Sequence, residues 1–285
     1  MITTSPLSLH KADALEWIET IPAGSVSCIV TDPAYESLNK WRSIGTTTRL
    51  GGNRDEEKRS GWFDTVSNED LFLLLCQFAR VLPKSGHAWV MADGETLPYL
   101  LNYIREGETG FGYCKSYPVM KLTADGGNYR QGMGYHGRGA HEYVVLCEKG
   151  RRRFTDENWA DVFALPWRGD AETKPYTPDG KPYPTAKPWM LFREWISLST
   201  VAGETVLDPF VGGGASAFAA LCLGRKFIGV DKSEYALETT RRRCSAVLNG
   251  QENEHDDTFT QEGKAAAPPR LLPSMQQKAS PVLDL

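Results

Sequence analysis

The stretch that decides the fold is Thr205-Val206-Leu207-Asp208-Pro209-Phe210-Val211-Gly212-Gly213-Gly214. Its first four residues are typical of a buried strand, and the proline and glycines after Asp208 predict a turn. The apolar segment from Ala215 to Leu223 predicts a helix, and Lys226 to Val230 predicts a second strand that ends at Asp231. A glycine-rich turn between a strand and a helix, followed by another strand, indicates an α/β fold.

The chemistry of this unit favours a nucleoside cofactor. Glycines in the turn let the backbone approach a ligand closely, and the N–H groups that open the helix attract an anion such as a carboxylate. Asp231 is placed to accept hydrogen bonds from ribose hydroxyls. The turn lacks the G-x-G-x-x-G spacing of dinucleotide sites, and Asp208 would repel a pyrophosphate. S-adenosylmethionine, with its ribose, adenine and zwitterionic amino-acid end, therefore fits better than a dinucleotide.

A second stretch with polar chemistry is Thr31-Asp32-Pro33-Ala34-Tyr35, which closes the apolar run from Val26 to Val30. The apolar run predicts a buried strand, and ligands of open α/β sheets bind where such strands end. Asp32 can accept hydrogen bonds from an amine, Pro33 offers its carbonyl, and Tyr35 offers a ring on which a flat heterocycle can stack. The pentapeptide alone is equally compatible with an ordinary strand-ending turn.

The composition is that of a globular protein, with 41% hydrophobic and 24% charged residues among 285. No apolar run approaches the roughly 18 residues of a transmembrane helix, and the N-terminus lacks a signal-peptide pattern, so we expect a cytoplasmic protein without membrane contact. The six cysteines form no Cys-x-x-Cys pair, so we predict neither disulfides nor a metal site. The net charge of -4 disfavours indiscriminate polyanion binding, although residues 115–153 carry eight basic and three acidic side chains.

The pattern of elements divides the chain into four parts. We predict a catalytic part over residues 1–153, a small target-recognition insertion or linker over 154–182, a cofactor-binding part of the same domain over 183–249, and a poorly ordered tail over 250–285. The non-periodic segment from Glu36 to Val66 is either a mobile substrate-contacting loop or a tolerated insertion. The segment from Ala124 to Gly139, with six glycines, is either a phosphate-contacting loop or a hairpin loop.

Three motifs in order carry a resemblance to a known family. Thr31-Asp32-Pro33-Ala34-Tyr35, then Tyr183-Pro184-Thr185-Ala186-Lys187-Pro188, then Asp208 to Gly214 resemble the β-class of amino-methylating DNA methyltransferases. In that circularly permuted group a D-P-P-Y motif precedes an F-x-G-x-G motif. The segment from His141 to Val145 is also similar to the family's last strand, and the resemblance covers about residues 7 to 248.

The resemblance implies an S-adenosylmethionine-dependent methyltransferase of Rossmann-like fold, with a mostly parallel seven-stranded sheet and one antiparallel strand. Its partner would be DNA, and its expected setting is restriction-modification in the cytoplasm. The family often forms homodimers, although no apolar stripe in the sequence indicates one. An amino-cytosine DNA methyltransferase, an RNA methyltransferase and a non-catalytic DNA-binding protein of the same fold stay open as alternatives.

The family pattern also implies roles for matched residues. Asp32 and the Pro33 carbonyl would hold the exocyclic amine of a base, and Tyr35 would stack on the base after it leaves the duplex. Ala34 replaces the family's second proline, whose side chain needs no hydrogen bond in this scheme. The aspartate at position 32 favours adenine over cytosine.

Implied cofactor contacts come from the catalytic part and the cofactor-binding part of the domain. Phe210, Gly212 and Gly214 would line the cofactor, and Asp208 and Asp231 would lie near its amino-acid and ribose parts. The remaining three are Thr185 and Lys187, beside the methionine end, and Asp13, close to the adenine amine. For Lys187 and Asp13 a surface charge or a helix cap is the alternative interpretation.

Overall fold

The computed structural model describes residues 5–39, 64–130, 139–156, 160–167, 175, 177–181, 183 and 186–250. Most of the predicted loop from Glu36 to Val66, part of the glycine-rich segment, Thr185 and the tail after Gly250 lie outside these residues. Among the described helices, none is long and apolar enough to cross a membrane.

A mixed sheet of eight strands forms the centre of the protein, in the order β1-β8-β7-β2-β3-β5-β4-β6. The strands are β1 (Leu7–Lys11), β2 (Cys28–Thr31), β3 (His87–Ala92), β4 (Tyr113–Leu122), β5 (His141–Glu148), β6 (Phe163–Pro166), β7 (Thr205–Asp208) and β8 (Lys226–Asp231). Among the described strands, β5 alone runs antiparallel to its neighbours, which are β3 and β4. The predicted mostly parallel sheet with one antiparallel strand is confirmed.

The predicted count of seven strands is wrong, because β6 is an eighth strand. It lies inside the segment 154–182, which we expected to be irregular, and pairs in parallel with β4, Val119 opposite Phe163. The strand has only four residues and ends at a proline, so its sequence shows no clear alternation. Phe163 is buried, and its ring packs 5.8 Å from the ring of Tyr117. This packing against β4 stabilises a strand that local pattern does not reveal.

Helices cover both faces of the sheet. They are α1 (Ala14–Ile18), α2 (Asn68–Val81), α3 (Leu97–Arg105), α4 (Trp189–Ser199), α5 (Ala215–Cys222) and α6 (Glu234–Leu248). Buried side chains of α1 to α3 pack with Ile29 and Val90, whereas those of α4 to α6 pack with Val30 and Trp89. Successive strand residues point to opposite faces, so the central strands are buried on both sides.

Side-chain caps fix where two helices begin. Asp13 accepts hydrogen bonds from the backbone N–H groups of Leu15 and Glu16 at the start of α1. Ser67 accepts one from the N–H of Asp70 at the start of α2. Asn68 and the two acidic residues after it form the first turn of α2 itself. Caps of this kind satisfy donors that have no partner within the helix.

Candidate active site

The polar residues singled out in the sequence lie at one edge of the sheet. Asp208 and Asp231 are the last residues of β7 and β8, and Asp32 directly follows β2. These strands are parallel neighbours, so their carboxyl ends meet at the same edge. The hydroxyl of Thr31 donates a hydrogen bond of 2.8 Å to Asp208 Oδ1, which joins the Asp32 loop directly to the glycine turn.

In the Asp32 loop the tyrosine faces the aspartate. The Tyr35 hydroxyl donates a hydrogen bond of 2.7 Å to Asp32 Oδ1, and its ring is only 8% exposed. Pro33 is buried, and the carbonyl of Ala34 accepts a hydrogen bond of 2.8 Å from the N–H of Val66. The loop is therefore fixed at both its carboxylate and its backbone.

Lys187 contacts the second oxygen of the same carboxylate. Its Nζ lies 3.1 Å from Asp32 Oδ2 and 2.9 Å from Glu142 Oε2. Glu142 Oε1 in turn lies 2.5 Å from Lys121 Nζ. The four charges alternate in sign from Asp32 to Lys121. The ring of Trp167 borders this row, with its centroid 5.1 Å from Lys121 Nζ and 5.8 Å from Lys187 Nζ.

The two carboxylates of this row differ in their electrostatics. Burial raises the pKa of Asp32, against the opposing effects of the Lys187 ammonium and the Tyr35 hydroxyl. Burial also acts to raise the pKa of Glu142, but the two ammonium groups of Lys187 and Lys121 outweigh it and bring that pKa to about 2. Asp32 faces one ammonium group and Glu142 faces two, and this difference explains the opposite directions.

The glycine turn is held by side chains on both sides. The N–H of Gly212 donates a hydrogen bond of 3.0 Å to Asp231 Oδ2, and its carbonyl accepts one of 3.0 Å from the Thr240 hydroxyl. Gly214 has a φ of 74°, and a Cβ placed on it would lie 2.7 Å from Thr240 Oγ1. Glycine is therefore required at position 214 by both backbone angle and space.

Asp208 is buried beneath this turn, with 2% of its surface exposed. Besides the Thr31 hydroxyl, it accepts hydrogen bonds from the N–H of Phe210 at 2.9 Å and the hydroxyl of Ser216 at 2.5 Å. Burial nevertheless raises the pKa of Asp208 to about 7. The carboxyl group thus connects β2, the turn and α5.

At the far side of the turn, Asp231 ends β8, and Asp13 lies two residues after the end of the neighbouring strand β1. Asp231 Oδ1 accepts a hydrogen bond of 2.8 Å from the N–H of Ser233. Asp13 uses Oδ1 to cap α1, and its Oδ2 lies 2.8 Å from the ammonium nitrogen of Lys232. The helix cap that we gave as the alternative for Asp13 is thus present in the fold.

A family profile described as DNA methylase matches residues 26–242, which is more than half of the chain. The chain belongs to the DNA methylase family. It is 26% identical over 257 residues to the type II methyltransferase M.HpaI of Haemophilus parainfluenzae, covering 84% of this chain and 74% of that protein. It is 26% identical over 262 residues to the DNA adenine methyltransferase YhdJ of Escherichia coli (strain K12), covering 82% of each chain.

Among solved structures, this DNA methylase is similar to the crystal structure of the M1.HpyAVI–SAM complex. The TM-score is 0.57 at 20% sequence identity, covering 83% of this chain and 98% of that chain. This likeness confirms the predicted Rossmann-like methyltransferase fold.

The structure adds residues that sequence reasoning missed in this DNA methylase. Glu142 lies on β5 and Trp167 directly follows β6, and both lie beside Lys187, while Lys121 on β4 contacts the two of them. A charged residue directly before the apolar run from Tyr143 to Cys147 was the one available signal. Among the described residues, no cluster of His, Cys, Asp or Glu could hold a metal ion.

Proposed function

We propose that this DNA methylase transfers a methyl group from S-adenosylmethionine to the exocyclic N6 amine of adenine in DNA. The observation that carries the proposal is the Asp32 carboxylate, held by Tyr35 and Lys187 and tied through Thr31 and Asp208 to the glycine turn. The name of the relative YhdJ, a DNA adenine methyltransferase, supports adenine as the target base. The complex of M1.HpyAVI with SAM supports the cofactor.

The residues of the glycine turn suit this cofactor. S-adenosylmethionine supplies a methyl group bound to a positively charged sulfur. The first N–H groups of α5 have no acceptor within the helix and can receive the carboxylate of its amino-acid end, while Gly212, Gly214 and Phe210 line the turn. Each oxygen of Asp231 accepts one backbone N–H and keeps a further lone pair for a ribose hydroxyl. Asp13 would accept a hydrogen bond from the adenine amine once its ion pair with Lys232 is broken.

Lys187 can serve both halves of the proposed site. An ammonium group has three N–H donors, and the carboxylates of Asp32 and Glu142 take two of them. The third donor can reach the carboxylate of the cofactor, in keeping with its implied position beside the methionine end. Thr185, implied at the same place, lies outside the described residues.

The target amine would bind between Asp32 and the carbonyl of Pro33. Each accepts one of the two amine hydrogens, which turns the nitrogen lone pair toward the methyl group. A strong base is not required beforehand, because a positioned amine facing a cationic leaving group gains mainly from orientation and electrostatics. Tyr35 would stack on the base after it has left the duplex. Ala34 contributes its backbone to the loop rather than a side chain.

DNA would approach the same edge of the sheet. Lys121 and Arg130 lie near it, and the Arg130 guanidinium donates to the carbonyl of Trp167. The segment 154–182 and the loop from Glu36 to Val66 would then share target recognition. We also propose a cytoplasmic location, since the substrate is DNA, and a homodimer as the assembly.

Asp32→Ala tests the proposal. The enzyme and the variant are incubated with methyl-labelled cofactor and duplex DNA, and the DNA is digested and its bases are separated. We expect label in N6-methyladenine with the enzyme and none with Asp32→Ala, while calorimetry shows that the variant still binds the cofactor.

Three results would contradict the proposal. Methylcytosine in the digest would make the protein an amino-cytosine enzyme, and label in RNA alone would make it an RNA enzyme. DNA binding without cofactor binding would indicate a non-catalytic protein.

A further inference from the structure

Glu142 occupies a position that the proposed chemistry does not explain by itself. It is the second residue of β5, the only antiparallel strand among those described, so it starts its strand at the edge where the parallel strands end. Its side chain is 19% exposed, and each of its two carboxylate oxygens is taken by a different ammonium group. Glu142 forms no ion pair with Asp32, so any effect on the orientation of the Asp32 carboxylate must pass through Lys187, and only the charge of Glu142 acts on Asp32 through space.

Lys187 needs such an anchor. A lysine side chain has a flexible four-carbon stem and a compact charge that can turn toward any nearby acceptor. Its Nζ lies closer to Glu142, at 2.9 Å, than to Asp32, at 3.1 Å. Lys121 holds the other oxygen of Glu142, and the ring of Trp167 borders both ammonium groups. The lysine is thus held in place on the side away from Asp32.

We propose that Glu142 is a positioning residue for methyl transfer, which acts by holding the Lys187 ammonium against Asp32 Oδ2. With Lys187 fixed, the Asp32 carboxylate keeps one orientation, and its remaining lone pairs are directed at the target amine. Glu142 also shares the charge of Lys187, so that Asp32 stays a strong hydrogen-bond acceptor. This inference rests on the proposed role of Asp32.

The sign of the electrostatic effect is fixed by the groups around Asp32. Lys187 and the Tyr35 hydroxyl favour its ionised form, whereas Glu142 and Asp208 disfavour it. Lys121 faces Glu142 from β4. Removing the charge of Glu142 lowers the pKa of Asp32, because the repulsion between the two carboxylates is lost.

The test is a double-mutant cycle of Glu142→Gln and Lys187→Met, measured as the single-turnover rate of methyl transfer at saturating cofactor and DNA. We expect Glu142→Gln to slow methyl transfer about tenfold or more, since small displacements of catalytic groups have effects of that size. Its dissociation constants for cofactor and DNA should stay within about threefold of those of the unmodified enzyme. The acid limb of its pH–rate profile should move to lower pH. In the Lys187→Met background, Glu142→Gln should change the rate little, because the residue through which it acts is gone.

Glu148→Gln is the matched control, because it removes the same charge from the other end of β5, near His87. It should leave the rate and the pH–rate profile unchanged. A Glu142→Gln enzyme with normal rate and profile, or one whose defect persists in full in the Lys187→Met background, would overturn the inference.

Two further measurements distinguish a failure of this inference from a variant that does not fold and from a failure of the proposed function. Glu142→Asp retains the charge on a shorter side chain, so it should transfer methyl groups faster than Glu142→Gln. If Glu142→Gln does not fold, Glu142→Asp takes its place in the double-mutant cycle. NMR of lysine side chains, assigned with Lys187→Met, should show faster hydrogen exchange of the Lys187 ammonium in Glu142→Gln, and unchanged exchange would contradict the inference. If the unmodified enzyme methylates no adenine, the proposed function fails, and the NMR result still decides whether Glu142 anchors Lys187.

Discussion

Thr31 donates a 2.8 Å hydrogen bond to Asp208, although the two residues are 177 positions apart in the chain. Their strands β2 and β7 pair through Cys28 opposite Val206 and Ile29 opposite Leu207. The side-chain bond continues this contact beyond the backbone pairing, at the point where the Asp32 loop and the glycine turn leave the sheet. The geometry of one half of the site therefore depends on the other half.

Thr31→Val tests this connection, because valine has nearly the shape of threonine without the hydroxyl. Thr31 is fully buried, so the loss leaves one oxygen of Asp208 short of a donor. We expect the free energy of unfolding to fall by about 1–2 kcal/mol, as for other buried hydrogen bonds to acidic groups. Denaturant unfolding measures the change, and Thr31→Ser, which keeps the hydroxyl, should retain most of the stability. Equal losses in both variants would contradict the role of the hydrogen bond.

Asp208 should make stability depend on pH. Its pKa in the folded protein is about 7, above the value of 3.8 for an unperturbed aspartate. A raised carboxyl pKa means that the folded state binds the proton more tightly, so the contribution of this group to stability is full below about pH 4 and is lost as the pH rises through 7. In Asp208→Asn this loss is absent. The variant should therefore gain stability relative to the unmodified protein as the pH rises from about 4 to about 7.

Urea unfolding at several pH values measures this difference. Asp161→Asn is a suitable control, since the Asp161 side chain is 77% exposed and pairs only at the surface with Lys115. Its pH profile should run parallel to that of the unmodified protein. A parallel profile for Asp208→Asn would contradict the prediction.

Tyr35 has two parts with separable effects. Tyr35→Phe keeps the ring and removes the hydroxyl that donates to Asp32 Oδ1. We expect transfer to slow about tenfold, the effect of losing about 1.4 kcal/mol of transition-state stabilisation. The hydroxyl lowers the pKa of Asp32, so its removal should move the acid limb of the pH–rate profile to higher pH, opposite to the shift expected for Glu142→Gln.

Tyr35→Ala removes the ring as well and should slow transfer further, because base stacking and core packing are both lost. Single-turnover rates of the two variants, with their thermal unfolding as a control for folding, separate the contributions. If Tyr35→Phe and Tyr35→Ala have the same rate, the ring takes no part in holding the base.

The carboxylates of the site were predictable from sequence because each follows an apolar run. Asp32, Asp208 and Asp231 mark the ends of strands, and in a parallel sheet such ends share one edge. The row from Lys187 to Lys121 was not predictable in this way. Its members come together only through the order of the strands, which places β5 and β4 beyond β3, and local pattern does not contain that order.

β6, the outermost strand next to β4, was likewise not predictable from local sequence pattern. Phe163 of β6 packs against Trp89 of β3 and Trp195 of α4, at 5.9 Å between ring centroids in each pair. Tertiary contacts of this kind override a weak local preference. The helix after the glycine turn, in contrast, was predicted to within one residue, because a glycine on each side of the apolar run marks where the helix begins and ends.

Gly214→Ala should be far more destabilising than the same change at Gly24. Both glycines have positive φ, 74° and 68°, so both substitutions carry the backbone cost of about 1 kcal/mol for alanine in the left-handed region. A Cβ at Gly24 meets nothing within 4 Å, whereas at Gly214 it lies 2.7 Å from Oγ1 and 3.0 Å from Cα of Thr240. The close contact with backbone adds about 1–3 kcal/mol of overpacking. Denaturant unfolding of the two variants measures the difference, and equal losses would mean that α6 gives way to the added methyl group.

Because Thr240 also donates to the carbonyl of Gly212, Gly214→Ala should in addition weaken cofactor binding in calorimetry, while Gly24→Ala leaves it unchanged.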